Sequence, residues 1–391
     1  MQKQKMTTIK NEEKHNGSDK TTTANVLVTA AGGIVAQGII KSLKLANASD
    51  TSPVKYKIIA ADLSAQAAGL YRCDSGILIP SASSSNYIDS IIDVSKEQNI
   101  DAIYVGSDEE LATVVNAKER IEHETDAKVL TNPIEVIFTA RDKWKTFEFL
   151  NTNNLSCAAS SLPEDNEKFI QEFGFPIVVK PREGYGSKYF YVVNNRDEMK
   201  YATSKIQKVG WNPLLQEYLK DDKGDRNSNS FSSTEFTTGI TVDRFGKNIM
   251  SSISIQKIVK SGQTYKAFID RFEDIRRSAE KVALKLGARG AINIQAKLKG
   301  GEPKIFEINP RFSATCPMRS AAGINEPDVI FRNVTLGEDI KIYEYQRLVC
   351  LRYWNEVYVQ YATYENTHLT GRVGNTSNSN YNNNSFILNY F

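Results

Sequence analysis

The stretch Ile305-Phe306-Glu307-Ile308-Asn309-Pro310-Arg311 decides how this chain is read. Glu307, Asn309 and Arg311 recur at every second position, and a strand of period 2 sends all three to one face. A carboxylate, an amide oxygen and a guanidinium side by side suit a hard cation bridging phosphates, with a fixed positive charge beside it. A partner strand is expected over residues 290–298. The run Lys299-Gly300-Gly301-Glu302-Pro303 between them predicts a hairpin that sets Gln295 across from Glu307. The same alternation also describes an ordinary half-exposed hairpin with its polar face in water.

The surrounding composition narrows the field. A chain of 391 residues leads us to expect two or three domains. Hydrophobic content of 40% and charged content of 24% are those of a soluble globular protein. A net charge of +3 is too small to argue for nucleic acid or a membrane surface. No apolar run reaches the length of a membrane span. The four cysteines, Cys73, Cys157, Cys316 and Cys350, form no CxxC pair, so reduced thiols in a cytoplasmic protein are expected. With three histidines, one of them (His15) in a polar tail, histidine-based catalysis is poorly supplied. Residues 1–23 carry no apolar core of a secretory signal and read as a disordered arm.

Upstream of the hairpin, residues 25–30, 56–60, 76–79 and 101–105 read as strands alternating with helices, which predicts an open α/β domain with a mostly parallel sheet over residues 24–139. Gly32, Gly33 and Gly38 follow the first strand, and Asp62 ends the second. This imitates a dinucleotide fold without its GxGxxG spacing, so a Rossmann-like scaffold is favoured over NAD binding. Ser107 or Asp108 is expected to cap the next helix, while the acids at 108–110 could instead face a substrate. A helix over residues 140–151 places Lys143 near its start. The apolar strand of residues 176–181 ends in Lys180, and a buried lysine there demands an anion. Immediately after it, Gly184, Gly186, Ser187 and Lys188 form a glycine-rich basic loop whose backbone could approach phosphate oxygens, although it is no Walker motif. Residues 214–219, including Glu217, Tyr218 and Leu219, read as a strand, and residues 220–234 as a polar, flexible insertion. Glu235 opens a further strand, and a helix over 271–286 is capped by Gly287. Residues 347–364 are aromatic and strand-like and are expected to add a hairpin. The Asn- and Ser-rich run 370–384 is expected to be disordered.

In order, Lys143, Lys180 with its glycine loop, Glu217, Glu235, Gln295, Glu307, Asn309 and Arg311 resemble the ATP-grasp superfamily, most closely the ATP-binding domains of the carbamoyl-phosphate synthase large subunit and related carboxylate–amine ligases. The resemblance covers roughly residues 25–336. It implies a Rossmann-like pre-ATP-grasp domain at 24–139, a two-subdomain ATP-grasp fold at 140–345 with its lid subdomain near 152–218, and a C-terminal extension at 346–391. By this likeness, Lys143 and Lys180 contact phosphates and the loop 184–188 folds over them. The backbone around Glu217, Tyr218 and Leu219 meets adenine, and Glu235 binds ribose. Gln295, Glu307 and Asn309 match the magnesium ligands, with two Mg2+ ions (or Mn2+) implied. Arg311, with Lys180, matches the catalytic residues that steady the transferred phosphate. The implied activity is ATP-dependent joining of a small carboxylate to an amine through an acyl-phosphate, by a cytoplasmic enzyme acting on small molecules, able to form a homodimer, and free of nucleic-acid and membrane partners. One such unit, with no recognisable glutamine-hydrolysing Cys–His pair, does not lead us to expect carbamoyl phosphate synthesis itself.

Two other classes stay open on the sequence. A regulatory protein that binds nucleotide without turnover would keep the same residues, and ADP formation distinguishes it. A Rossmann oxidoreductase would respond to nicotinamide cofactor. Acceptor residues vary in such folds because they lie on loops. Lys257 and Arg319 are candidates to pair a substrate carboxylate, and Asp108 and Glu109 to face an amine.

Overall fold

The computed structural model describes residues 21–184, 186, 188–220, 235–260, 262–353 and 355–373. Most of the expected N-terminal arm, Ser187 of the glycine loop, nearly all of the insertion and most of the tail lie outside the described residues.

The first layer is a parallel sheet of β1 (Thr22–Val28), β2 (Val54–Asp62), β3 (Ser75–Leu78), β4 (Ala102–Tyr104) and β5 (Lys128–Val129), in the order β3-β2-β1-β4-β5. Its strands are buried on both sides, as their continuous Val, Ile and Ala runs require. α1 (Ile34–Ala48) and α2 (Tyr87–Glu97) cover opposite faces, their apolar residues falling in separate cores. The single helix expected after β4 is two, α3 (Asp108–Asn116) and α4 (Lys118–Glu124), broken at Ala117. The strand order reverses between β1 and β4, so the crevice at their carboxyl ends opens beside Ser107 and Asp108.

α5 (Ile134–Arg141) is a helix that the sequence reading did not mark, and α6 (Lys143–Thr152) is the helix expected over 140–151, starting three residues later. Asp142 separates them and caps α6, its Oδ1 accepting from the Trp144 and Lys145 N–H groups. A small antiparallel sheet follows, built from β6 (Ser160–Ser161), β7 (Ile177–Pro181), β8 (Tyr191–Val193) and β9 (Pro213–Glu217), ordered β6-β9-β7-β8. It is backed by α7 (Asn166–Phe173) and by α8 (Arg196–Lys208), a helix that the sequence reading did not mark.

The third layer is a six-stranded sheet of order β14-β13-β10-β11-β12-β15. Its strands are β10 (Glu235–Val242), β11 (Ile249–Lys260), β12 (Gln263–Ile269), β13 (Gly290–Lys299), β14 (Glu302–Asn309) and β15 (Leu348–Leu351). α9 (Glu273–Lys285) packs on it and ends before Gly287 at φ +77°, a left-handed conformation that favours glycine. α10 (Cys316–Ala321) and α11 (Glu326–Val334) lie between this sheet and α1. There the first and third layers share one apolar core that includes Ile39, Tyr56, Phe312, Val329 and Phe331. Gly38 of α1 lets the helix sit close against the chain at 313–314, because a Cβ there would meet the Ser313 carbonyl oxygen at 3.1 Å. Buried hydroxyls cross the same seam: Tyr56 donates to Asp328 Oδ1 at 2.7 Å and Tyr104 to the Pro327 carbonyl at 2.9 Å.

The hairpin expected over 347–364 does not form. β15 instead adds one strand to the edge of the large sheet beside β12, and α12 (Tyr361–Thr370) carries the chain back to the first sheet. Gly371 accepts from the Leu78 N–H, and the Val373 N–H donates to Gly76, next to β3. No helix among the described residues is long and apolar enough to cross a membrane.

Candidate functional site

β13 and β14 pair antiparallel with Gln295 directly opposite Glu307 and Asn293 opposite Asn309. A bulge between Gln295 and Ala296 pairs Ala296 with Ile305 and leaves Phe306 as the extra residue. The bulge changes one detail of the alternation: Phe306 lines the same cavity as Glu307 instead of turning away with Ile305 and Ile308.

That cavity, of about 500 Å3, lies between the small sheet and the large one. Its walls include Lys143, Lys180, Gly184, Gly186, Lys188, Glu217, Tyr218, Leu219, Glu235, Gln295, Glu307, Asn309 and Arg311, every described member of the ordered set read from the sequence. β7 delivers Lys180, and β9 with the two residues after it delivers 216–219. α6 delivers Lys143, and the hairpin delivers the carboxylate floor.

The electrostatics of this floor are unusual. Lys180 is 5% exposed, and its Nζ donates to Gln216 Oε1 at 2.9 Å. Burial, aided by the like charge of Lys143 and opposed by Glu307, brings its ammonium down from 10.5 to about 7. Glu307 has amide partners and no ion pair among the described residues: Gln295 Nε2 donates to its Oε1 at 3.2 Å and Asn309 Nδ2 at 2.9 Å. Burial opposes its charge, but Lys143 and Lys180, with help from Asn309 and Lys257, outweigh burial and hold the carboxyl below its ordinary range. Lys143 Nζ donates to the Gly184 carbonyl at 3.0 Å, tying α6 to the glycine loop. The Asp142–Arg182 ion pair braces the same junction. Beyond the loop, Tyr189 stacks edge-on against Trp211, with centroids 5.4 Å apart, while Phe190 stays exposed on the cavity wall.

Several side chains have partners that the sequence could not show. Arg311 is held by Asp108 of the first layer: Nε donates to Oδ1 at 2.7 Å and Nη2 donates to Oδ2. Ser107, not Asp108, caps α3, its hydroxyl accepting from the Glu110 N–H. Asp108 therefore faces an arginine and not an amine. Lys257, a candidate for a substrate carboxylate, is instead engaged by Glu235 Oε1 at 2.8 Å and Gln295 Oε1 at 2.7 Å. Arg319, the other candidate, is fully buried, with Nε 2.9 Å from Glu326 Oε1 as a charge contact and Nη2 donating to Ser313 Oγ at 2.8 Å. Gly239 makes room for that pair, since a Cβ would fall 1.8 Å from Glu326 Oε1. The Glu217 carboxylate is turned from the cavity centre: Oε1 accepts from the Ala159 N–H at 2.9 Å and Oε2 from Lys299. The backbone of 217–219 is what remains to meet a ligand there. Asp62 accepts from the Gly32 N–H at 2.8 Å and the Ser64 N–H at 3.0 Å, so both of its oxygens brace its own turn.

The donor set fits Mg2+, which takes few protein oxygens and completes its shell with phosphate and water. Glu307 supplies a half-buried carboxylate. The amide oxygens of Gln295 and Asn309 accept from Lys257 and Arg311, and each retains a second lone pair.

A parallel sheet, a small antiparallel lid-like sheet and a larger antiparallel sheet enclosing a cation-lined cavity define an ATP-grasp architecture. The ATP-grasp domain model matches residues 140–315, and the model of the PylC-like N-terminal domain matches residues 26–130. The chain thus carries an ATP-grasp domain behind a PylC-like N-terminal domain. Among curated proteins, the carbamoyl phosphate synthase large chain of Clostridium acetobutylicum is 25% identical over 244 residues, covering 60% of this chain but 22% of that one. Among solved structures, the biotin carboxylase–β,γ-ATP complex from Campylobacter jejuni aligns with a TM-score of 0.62 at 19% identity, covering 81% of this chain and 72% of that one. N5-carboxyaminoimidazole synthetase from Staphylococcus aureus, complexed with ADP, aligns with a TM-score of 0.61 at 15% identity, covering 86% and 82%. At these identities the two structures establish the fold.

Proposed function

We propose that this chain is an ATP-dependent ligase that phosphorylates a small carboxylate to an acyl-phosphate and couples it to an amine, releasing ADP and phosphate. The observation that carries this reading is the convergence of Lys143, Lys180, Glu307 and Arg311 on one cavity. The ATP and ADP named with the two structural neighbours support a nucleotide there. The backbone of 217–219 receives adenine, and Glu235, braced by Lys257, receives ribose. Lys143, Lys180 and the glycine loop 184–188 receive the phosphates. Gln295, Glu307 and Asn309 would hold magnesium, two ions by analogy with the family, and Mn2+ suits the same oxygens. When bound, the metal neutralises charge building on the γ-phosphoryl group.

The chain's own groups do the rest. A carboxylate oxygen of the substrate attacks the γ-phosphorus, and the bond to the ADP oxygen breaks. Arg311, aimed by Asp108, holds the transferred phosphoryl oxygens. The amine nitrogen then attacks the acyl carbon, and phosphate leaves. The apolar side chains of Val178 and Phe306 on the cavity wall leave little for water to bond to beside the acyl-phosphate. An ADP-release screen of small carboxylates paired with amines, with Mg2+, tests this. ADP should accumulate only with a matched pair. Nucleotide binding with no ADP across the panel overturns the ligase reading in favour of a regulatory nucleotide-binding protein.

A further inference from the structure

The cavity has a stretch of wall that the nucleotide reading does not use. Ile34 and Val35 at the start of α1, Thr264, residues 313–315 and Arg352 line it. Arg352 follows β15 directly and is half-buried. Its guanidinium is fixed by neutral acceptors: Nη1 donates to the Thr264 carbonyl at 2.9 Å and Nη2 to the Ala314 carbonyl at 2.7 Å. Those bonds orient the group without cancelling its charge, and a guanidinium has five N–H donors to place.

No carboxylate answers that charge. Among the described residues Arg352 makes no ion pair, in contrast to Arg311, which Asp108 neutralises. Lys41 and Arg72 add charge of the same sign nearby, and the Cys350 thiol, which burial holds above its ordinary range, is the other titratable group beside them. Partial burial and the like charges of Arg72 and Arg352 hold the Lys41 ammonium of α1 below its ordinary range. Neither Lys41 nor Arg72 has an ion-pair partner among the described residues. Arg352 on the cleft wall, with Lys41 and Arg72 close enough for their charges to act together and no carboxylate paired to any of the three among the described residues, raises the local positive potential and concentrates anions there.

We infer that this wall is the subsite for an oxyanion carried by the second substrate, a carboxylate or a phosphate group, with Arg352 gripping it and Lys41 and Arg72 supplying the surrounding positive field. The inference rests on the nucleotide reading above, because nucleotide in the rest of the cavity makes an anion here a second ligand.

Calorimetric titration tests it. The full chain is saturated with Mg2+ and the non-hydrolysable analogue AMP-PNP, which fills the γ-phosphate position, and is then titrated with glutarate and, separately, with inorganic phosphate. At least one should bind saturably, and the stronger of the two identifies the oxyanion. Arg352→Gln should weaken that binding by about tenfold or more, the loss of a charge-assisted contact. Lys41→Glu, at an exposed side chain, should weaken it by about threefold to tenfold through the field alone, and should weaken AMP-PNP binding less. If Arg352→Gln does not fold, as its thermal transition would reveal, the Lys41→Glu result decides. Absence of saturable binding by the wild type, or unchanged affinity in the folded variants, overturns the inference. Failure of the wild type to bind AMP-PNP counts against the nucleotide reading alone, and the same anion titrations without nucleotide then judge Arg352 separately.

Discussion

Two glycine turns in this chain look alike when written out and do opposite things when folded. Gly32-Gly33 follows an apolar strand and opens a helix. Gly184 and Gly186 follow another apolar strand and lead into basic residues. In the first turn the chain consumes its own donors: the Ala31 N–H goes to Ala61, the Gly32 N–H to Asp62 and the Gly33 N–H to Ala30. Gly38, which completes the written pattern, serves the packing of α1 on residues 313–314. In the second turn the glycines line the cavity, and the Gly184 carbonyl is tied to Lys143. The difference teaches that glycine spacing marks where backbone could meet phosphate. The neighbouring side chains decide whether it does.

The sharpest way to break this contrast is at the floor beneath the second turn. Glu307→Ala should cut ADP formation by more than about a thousandfold, because it removes the half-buried carboxylate that faces Lys143 and Lys180. Thermal unfolding of the variant should stay near that of the wild type. Full turnover in Glu307→Ala would sink the metal assignment and, with it, the working role of this side of the cavity.

The first sheet is expected to reach the chemistry through Asp108 and not through its glycine turn. Asp108→Asn loses the charge that orients Arg311 and should lower kcat by about a hundredfold, the cost of a misplaced phosphoryl contact. Affinity for ATP should change by less than about threefold, since Arg311 acts on the transferred group. An equal loss in both parameters would mean that Asp108 merely holds the two layers together.

A smaller effect follows from pH. Burial and the like charge of Lys143 bring Lys180 down to about 7 against the pull of Glu307, and phosphate should return it to the charged form. Apparent ATP affinity should therefore fall as pH rises above 7, by up to about tenfold per unit. Binding at pH 8 should take up a proton, visible as a heat that depends on buffer ionisation enthalpy. In the absence of nucleotide the sign for stability is the reverse. Between about 7 and 10.5 the unfolded lysine holds a proton that the folded one has released, so this group's contribution to stability rises with pH across that window and is absent below it. Lys180→Met should flatten both profiles.

The layered fold was legible in the sequence because its signals are local and periodic. Val- and Ile-rich runs gave the parallel strands, Gly300-Gly301 gave the hairpin turn, and period 2 put Glu307 and Asn309 on one face. What stayed hidden depends on contacts between distant segments. Asp108 and Arg311 are far apart in sequence, and nothing local to either names the other. Arg319 and Lys257 looked free because their partners, Glu326 and Glu235 with Gln295, are found only after the strands pair. The two helices around Ala117 were read as one because nothing local marks the break, while α5 went unread and α6 was started early, at 140. Arg352 left one trace, a lone cation in the apolar run Leu348–Tyr353, but only the joining of β15 to β12 sets it on the cavity wall.

The smallest expected effect is also the one that tests the first turn most directly. Asp62→Ala deletes the acceptor for the Gly32 and Ser64 N–H groups, and both donors then need water or strain the turn. Gly32 is solvent-exposed, so water can replace much of what is lost, and the cost should be about 1 kcal/mol. A thermal shift of a few degrees would register it. If Asp62 only braces its own loop, ATP affinity stays at the wild-type value and neither protein responds to a nicotinamide cofactor. If Asp62 serves a ribose, the wild type shows a saturable response to that cofactor and the variant loses it. That result would place a second nucleotide site on the first sheet and erase the contrast between the two turns.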